Sequence, residues 1–258
     1  MLIERGKIIL ASLLELFLPR QCAGCRKVWL HSDQGFWCDS CLDDLPWIEP
    51  PLCPQCGRPF PKSPSAPDHL CGDCLQSVFV FDGARSATYH AGVVRRRIHQ
   101  LKFGGRLHWV PPLADLLVTL CRREASPCTD VILPVPLHLK RLRQRGFNQA
   151  GLLAKVLGRR VGLPVQYNVL VRKVWTEPQT RLNRVQRLAN VKDAFHVPDS
   201  STVKGLRVLI IDDVYTTGTT LNECAKTLKT AGASEVHALT VCRAVPDWNP
   251  EGRDGSTS

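Results

Sequence analysis

The sequence predicts an α/β protein, a doubly wound parallel sheet preceded by a small Cys-rich module. Three observations carry that prediction. Short apolar runs alternate with helical patterns through the C-terminal two thirds, the arrangement of strand and crossover helix. The run Val208-Leu-Ile-Ile-Asp-Asp-Val-Tyr-Thr-Thr-Gly-Thr-Thr220 delivers a buried strand into two acids and a hydroxyl-rich loop. Four C-x-x-C pairs lie together between Cys22 and Cys74.

The run at 208–220 is the most specific of these. Val208, Leu209, Ile210 and Ile211 are β-prone and continuously apolar, as a strand buried on both faces requires. Asp212 and Asp213 stand where that strand should end, and Leu221 to Ala231 reads as the next helix. A loop opening a helix presents unpaired N–H groups at the positive end of the helix dipole and receives phosphate. Thr216, Thr217, Thr219 and Thr220 add hydroxyl donors, and Gly218 permits close approach of the backbone. The two carboxylates accept hydrogen bonds from vicinal hydroxyls or help hold Mg²⁺. A ribose 5-phosphate, with phosphate and diol together, suits such a site.

The remaining elements follow in order. Asp130 to Pro136 reads as a second buried strand closed by prolines, Pro134 and Pro136. Lys140, Arg141, Arg143 and Arg145 then crowd a segment that Gly146-Phe-Asn-Gln149 interrupts just before a helix at about 150–161, a way of building an anion site. Val165 to Val171 reads as another strand, residues 172–187 as a basic mobile loop, and Val236 to Val241 as the last strand. In such sheets ligands bind beyond the carboxyl ends of the strands, where both the acidic pair and the Pro-Val-Pro loop fall.

Each C-x-x-C pair places two thiolates on one tight knuckle, and two knuckles complete a tetrahedral Cys₄ zinc site. The alternatives are disulfides, iron–sulfur ligation or thioredoxin-like redox pairs, and four evenly spaced pairs without a secretion signal favour two structural Zn²⁺ ions. Sequential pairing gives Cys22, Cys25, Cys38 and Cys41 as one site and Cys53, Cys56, Cys71 and Cys74 as the other. A cross-braced arrangement, first pair with third, satisfies the spacing as well. Cys121, Cys128, Cys224 and Cys242 lack partners at ligand spacing and read as buried apolar residues.

Charge is unevenly placed. Residues 1–80 hold 7 Lys/Arg against 9 Asp/Glu, whereas residues 81–258 hold 27 against 14. Such a field suits polyanions, a pyrophosphate or a nucleic acid backbone alike. Residues 1–19 read as an amphipathic helix, interrupted by Glu15 and too short to span a membrane. The tail at 247–258 reads as disordered.

The 208–220 run resembles the 13-residue phosphoribosyl pyrophosphate (PRPP) signature of type I phosphoribosyltransferases. With the four C-x-x-C pairs, Leu101-Lys-Phe103, Pro134-Val-Pro-Leu137 and Arg145-Gly-Phe-Asn-Gln149, the chain is similar to the ComF/GntX family of competence proteins. That resemblance implies a double zinc ribbon at 20–78 and a type I phosphoribosyltransferase domain at 79–246 in a cytoplasmic protein. It places Asp212 and Asp213 on the ribose hydroxyls and Thr216, Thr217, Gly218, Thr219 and Thr220 around the 5-phosphate. Val135, Pro136 and Arg145 fall near a Mg²⁺-bound pyrophosphate, with Arg172 and Lys173 as closing-loop cations; Asp212, Asp213, Arg172 and Lys173 are the catalytic candidates. Purine-salvage relatives carry a carboxylate base where this chain has Thr216, which disfavours purine transfer. The implied role is in DNA uptake and use, with single-stranded DNA or DNA-uptake proteins as partners. The alternatives are a transferase acting on an unidentified acceptor and a regulator that senses PRPP without catalysis.

Overall fold

A four-stranded parallel sheet organises the larger part of the molecule. Its strands are β1 (Gly83–Tyr89), β2 (Val131–Pro134), β5 (Arg207–Tyr215) and β6 (Glu235–Arg243), in the order β1-β6-β5-β2. A two-stranded antiparallel ribbon, β3 (Val171–Arg172) and β4 (Phe195–His196), stands apart from it. The helices are α1 (Asp39–Asp43), α2 (Gly72–Gln76), α3 (Gly92–Gly104), α4 (Val110–Arg123), α5 (Leu139–Arg145), α6 (Gln149–Val161) and α7 (Thr219–Thr230). The computed structural model describes residues 21–28, 35–61, 67–76, 79–124, 129–174 and 193–245. The amphipathic helix expected at 1–19, Cys128, most of the basic loop at 172–187 and the tail at 247–258 lie outside them. Among the described residues no helix is long and apolar enough to cross a membrane.

The chain divides into two compact units, residues 1–45 and 46–258, with the boundary falling between the two cysteine quartets. In the larger unit the alternation of side chains along β5 explains why both faces are covered. Val208 and Ile210 join one buried cluster with Leu221, Ala225 and Leu228 of α7 and with Val236 and Ala238 of β6. Leu209 and Ile211 point the other way by the period of two, and α6 packs against β5 and β2 while α4 packs against α6, β1 and β6. Cys53, Cys56, Cys71 and Cys74 belong to the first cluster, so the second quartet is built into the same core as the central strands.

Residues 46–48 run antiparallel along β1. Trp47 bridges Thr88, Ile48 N–H donates to Ala87 O at 3.0 Å, and Tyr89 N–H donates to Pro46 O at 2.8 Å. These bonds cover part of an edge that would otherwise present open donors and acceptors. At the other end of the sheet, Asp130 Oδ2 accepts from Arg207 N at 2.8 Å and Oδ1 from Arg207 Nη2 at 2.8 Å. These bonds hold the Asp130 carboxyl down at about 2. Because this pKa is depressed on folding, its stabilisation is complete above the unfolded value of about 3.9 and is lost as pH falls toward 2. Asp130→Asn should therefore flatten the acid limb of a melting-temperature profile between about pH 4 and 2; an unchanged limb would show the pair to be inert.

Two sequence expectations shift. β5 continues past the acids to Tyr215, because β6 goes on pairing with it through Tyr215↔Arg243. The strand expected at 165–171 shrinks to a single parallel bridge, Ile132↔Val165, and Val171 pairs instead with His196. Gln166 N–H still donates to Ile132 O at 3.0 Å, but from Tyr167 the chain bends away and the ladder stops.

Candidate functional site

The carboxyl end of the sheet opens where β2 stops. Pro134 and Pro136 lack N–H groups, and the β2–β5 pairing ends at Pro134↔Ile211, with Val135 N–H donating to Ile211 O at 2.9 Å. One residue later β5 runs without a neighbour on that side, and there stand Asp212 and Asp213. Around them lies a cavity of about 910 Å³ lined by residues from α3, the β2–α5 loop, α5, β5 and the β5–α7 loop.

Asp212 Oδ1 accepts from the N–H of Asp213 at 2.8 Å. Burial and the adjoining Asp213 carboxylate push Asp212 up to about 8, and the ammonium of Lys102 opposes that rise only in part. Asp213, 3% exposed, receives that ammonium directly, Nζ to Oδ2 at 2.6 Å. Desolvation alone would lower the Lys102 pKa, but the Asp213 charge more than offsets it and holds the group protonated. The acidic pair is thus one hydrogen-bonded carboxyl and one ion-paired carboxylate, both with oxygens that accept hydroxyls; a hard cation there has to displace the Asp212 proton or the Lys102 ammonium.

Beyond the acids, Gly218 caps α7 with φ of +77°, a conformation that β-carbon-bearing residues resist. Its Cα packs against Tyr215 so closely that a Cβ would fall 2.7 Å from Tyr215 Cζ. Thr217 and Thr219 share a hydroxyl hydrogen bond of 2.8 Å, and the first turn of α7 carries no acid. Thr216, Gly218 and Thr220 line the cavity, whereas Thr217 and Thr219 do not.

The basic segment supplies the opposite wall. Gln149 Oε1 holds Arg145 Nη1 at 2.6 Å, and the guanidinium lies 5.7 Å from the Phe103 ring. Asn148 caps α6 through the N–H of Ala150 at 3.0 Å and donates to Val135 O at 3.0 Å. The Arg-Gly-Phe-Asn-Gln element therefore locks the start of α6 to the Pro-Val-Pro loop and aims Arg145 inward. Arg172, on β3 and 8% exposed, also lines the cavity, as do Val135, Pro136 and Arg141, while Lys173 is exposed and does not. Residues missed in the sequence come mostly from α3 and its approach: His90, Arg95, His99, Lys102 and Phe103. Their only signal was the Leu-Lys-Phe triplet. His90 is held below its usual pKa by burial and by Lys102 and Arg95, against the pull of Asp213, so it is neutral near pH 7.

The cysteines assemble by sequential pairing. The Sγ atoms of Cys22, Cys25, Cys38 and Cys41 lie within 4.8 Å of one another, and so do those of Cys53, Cys56, Cys71 and Cys74. Cys25 to Cys38 spans 3.9 Å, and Cys53 to Cys74 and Cys56 to Cys71 each span 3.6 Å. A tetrahedron with Zn–S bonds of about 2.3 Å has edges of about 3.8 Å, so both quartets fit the ion. Burial works to raise Cys22, yet N–H groups of Cys38, Cys25 and Gly24 bring it down to about 6, while burial and the neighbouring thiols drive Cys41 up to about 12. Four thiolates cannot coexist there without a dication. Gly24 leaves the room: a Cβ would meet Cys41 Sγ at 2.6 Å and Cys41 Cβ at 2.8 Å. Gly24→Ala should lower the zinc content, measured by elemental analysis, from two ions per chain to one; two retained ions would show that the knuckle yields.

Fold and site together define a phosphoribosyltransferase-type α/β domain in a chain that also holds two zinc-ribbon Cys₄ sites. Residues 142–253 match the phosphoribosyl transferase domain and residues 13–75 the double zinc ribbon domain. The chain belongs to the ComF-like family. It is 37% identical over 198 residues to DNA utilization protein YhgH of Salmonella typhi, covering 75% of this chain and 85% of that protein. With Competence protein F of Haemophilus influenzae it shares 30% over 234 residues, 88% of this chain and 99% of that one. With Competence protein ComFC of Bacillus subtilis it shares 28% over 214 residues, 80% and 84%. Among solved structures it is similar to the B. subtilis glutamine PRPP amidotransferase complexed with ADP and GMP, at 20% identity and TM-score 0.35 over 50% of this chain and 26% of that one. The purine phosphoribosyltransferase of Pyrococcus horikoshii matches at 19% and TM-score 0.31 over 52% and 83%.

Proposed function

We propose that the chain binds PRPP with Mg²⁺ in this cavity and serves DNA utilization and competence, the roles that the names of its relatives give to them. The observation that carries the ligand is the acidic pair at the point where β5 runs on without its β2 neighbour, one loop away from the N-terminus of α7. In this reading Asp212 and Asp213 accept the ribose hydroxyls, and Thr216 to Thr220 with the first N–H groups of α7 take the 5-phosphate. The backbone at Val135 and Pro136 and the Arg145 guanidinium face the pyrophosphate, with Arg172 beside them and Lys173 as a further cation at the start of the basic loop. When bound, Mg²⁺ supplies charge neutralisation to the pyrophosphate, and the carboxylate oxygens suit a hard cation.

Departure of pyrophosphate would leave positive charge at the ribosyl C1; in this reading the Asp213 carboxylate supplies the opposing charge. Thr216 holds no proton acceptor suited to a purine, whereas His90, held neutral by burial and by Lys102 and Arg95, offers an imidazole nitrogen in the cavity. Calorimetric titration with PRPP and Mg²⁺ is the direct test, with saturable heat expected; a flat trace sinks the reading. Pyrophosphate release with candidate acceptors separates transfer from binding alone.

The DNA-facing surface in this proposal is the exposed face of α5, with Lys140 and Arg143, and the end of α6, with Arg159 and Arg160. Lys140→Ala/Arg143→Ala should weaken a single-strand gel shift for every sequence. Its salt dependence should flatten by about 0.7 log units of affinity per log unit of salt for each phosphate no longer neutralised. Binding indifferent to salt and to both substitutions would remove this surface.

A further inference from the structure

We infer that Arg243 and Tyr215 are positioning residues that couple the second Cys₄ zinc site to the phosphate loop, so that metal at one and phosphoribosyl ligand at the other strengthen each other. The inference rests on the reading of the loop as a PRPP site. Arg243 ends β6 and is 5% exposed. Its partner is the cysteine quartet: Nη1 donates to Cys56 O at 2.6 Å and Nη2 lies 3.5 Å from Cys56 Sγ. Zinc held by four thiolates carries a net charge of −2, so a buried guanidinium against one sulfur is its counter-charge.

The same guanidinium lies 3.9 Å from the centroid of the Tyr215 ring, and the two residues face each other in the β5–β6 register. Stacking of this kind is the geometry in which Arg and an aromatic ring fix each other's orientation. Tyr215, 2% exposed, in turn packs its ring against the Cα of Gly218, where the left-handed backbone opens α7. A continuous path runs Cys56, Arg243, Tyr215, Gly218, from a metal ligand to the residue whose conformation shapes the phosphate loop. Moving Arg243 releases Tyr215, and Tyr215 is the floor on which Gly218 rests. Binding linkage makes the dependence reciprocal.

The test is an equilibrium competition on the full chain. The chelator concentration that strips half of each zinc equivalent is measured with and without saturating PRPP and Mg²⁺, beside a calorimetric titration of PRPP. Ligand should raise that concentration about tenfold for one of the two equivalents and leave the other unmoved. Arg243→Lys, which keeps the charge but not the fork or the stack, should still bind PRPP at higher concentration, with the zinc shift reduced below about twofold at saturation. If that variant loses zinc outright, Tyr215→Leu serves instead, since it leaves both Arg243–Cys56 contacts in place; the shift should vanish there too. Heat of PRPP binding with no zinc shift in the wild type overturns the coupling, as does a full shift in both variants. No heat at all refutes the ligand reading itself, a distinct outcome.

Discussion

Asp212→Asn/Asp213→Asn is expected to weaken PRPP binding in the calorimeter by about 30- to 1,500-fold. A hydrogen bond to the charged Asp213 contributes about 1.5–3 kcal/mol and one to the neutral Asp212 about 0.5–1.5 kcal/mol, which together give that span. The single substitutions should part company in stability. Asp212 is raised to about 8 in the folded chain, above its unfolded value of about 3.9, so its ionised form opposes folding. The associated stability is complete below pH 4 and is lost as pH climbs toward 8. Asp212→Asn should therefore melt no lower than wild type at pH 7 and higher at pH 9. Asp213→Asn strands the Lys102 ammonium, 2.6 Å from its counter-charge in the wild type, and should melt lower at both pH values. Equal drops of melting temperature in the two single variants would show that the carboxyls are not held in opposition.

Loss of the second zinc site should cost the fold far more than loss of the first. Cys53, Cys56, Cys71 and Cys74 are all buried in the cluster that contains Val208, Ile210 and α7, whereas Cys25 is exposed in the smaller unit. Without metal, burial and neighbouring thiols push Cys56 up to about 11 and Cys74 higher still, while N–H donors bring Cys53 down to about 7 despite burial. The quartet then becomes a buried polar defect. Structural zinc supplies about 10–16 kcal/mol, as much as the whole stability of an ordinary domain. Cys56→Ser should thus abolish the cooperative melt of the sheet, followed by circular dichroism, with one zinc ion gone. Cys25→Ser should also lose one ion yet retain the melt and PRPP binding. Matching melts in the two variants would refute the distinction.

These contrasts also show what a one-dimensional reading reaches. Strand, acids, glycine loop and helix at 208–230 are contiguous, so local chemistry specifies them, and β5, α7 and the cavity-lining Asp212, Asp213, Thr216, Gly218 and Thr220 stand close to where the pattern placed them. The cysteine knuckles are legible for the same reason, though spacing alone left their pairing open. Lys102 was not legible as a partner of Asp213, because nothing near residue 102 encodes how α3 lies over the sheet. Val165 misled because the stretch from it to Val171 looked like a strand while the chain bends from Tyr167 onward. Arg243 was invisible because its role depends on Cys56, 187 residues earlier.

That separation has a consequence in time. Chains emerge at about 5–20 residues per second, so roughly 10–40 s pass between synthesis of Cys56 and of the arginine that completes its surroundings. β1 waits comparably long, since its sheet neighbour is β6, the last of the strands among the described residues. The first quartet, closed within residues 22–41, has no such delay. The second quartet is itself closed within residues 53–74, but the strands and the guanidinium that bury it are made only later, so its knuckles stay solvent-accessible on the nascent chain for about that interval.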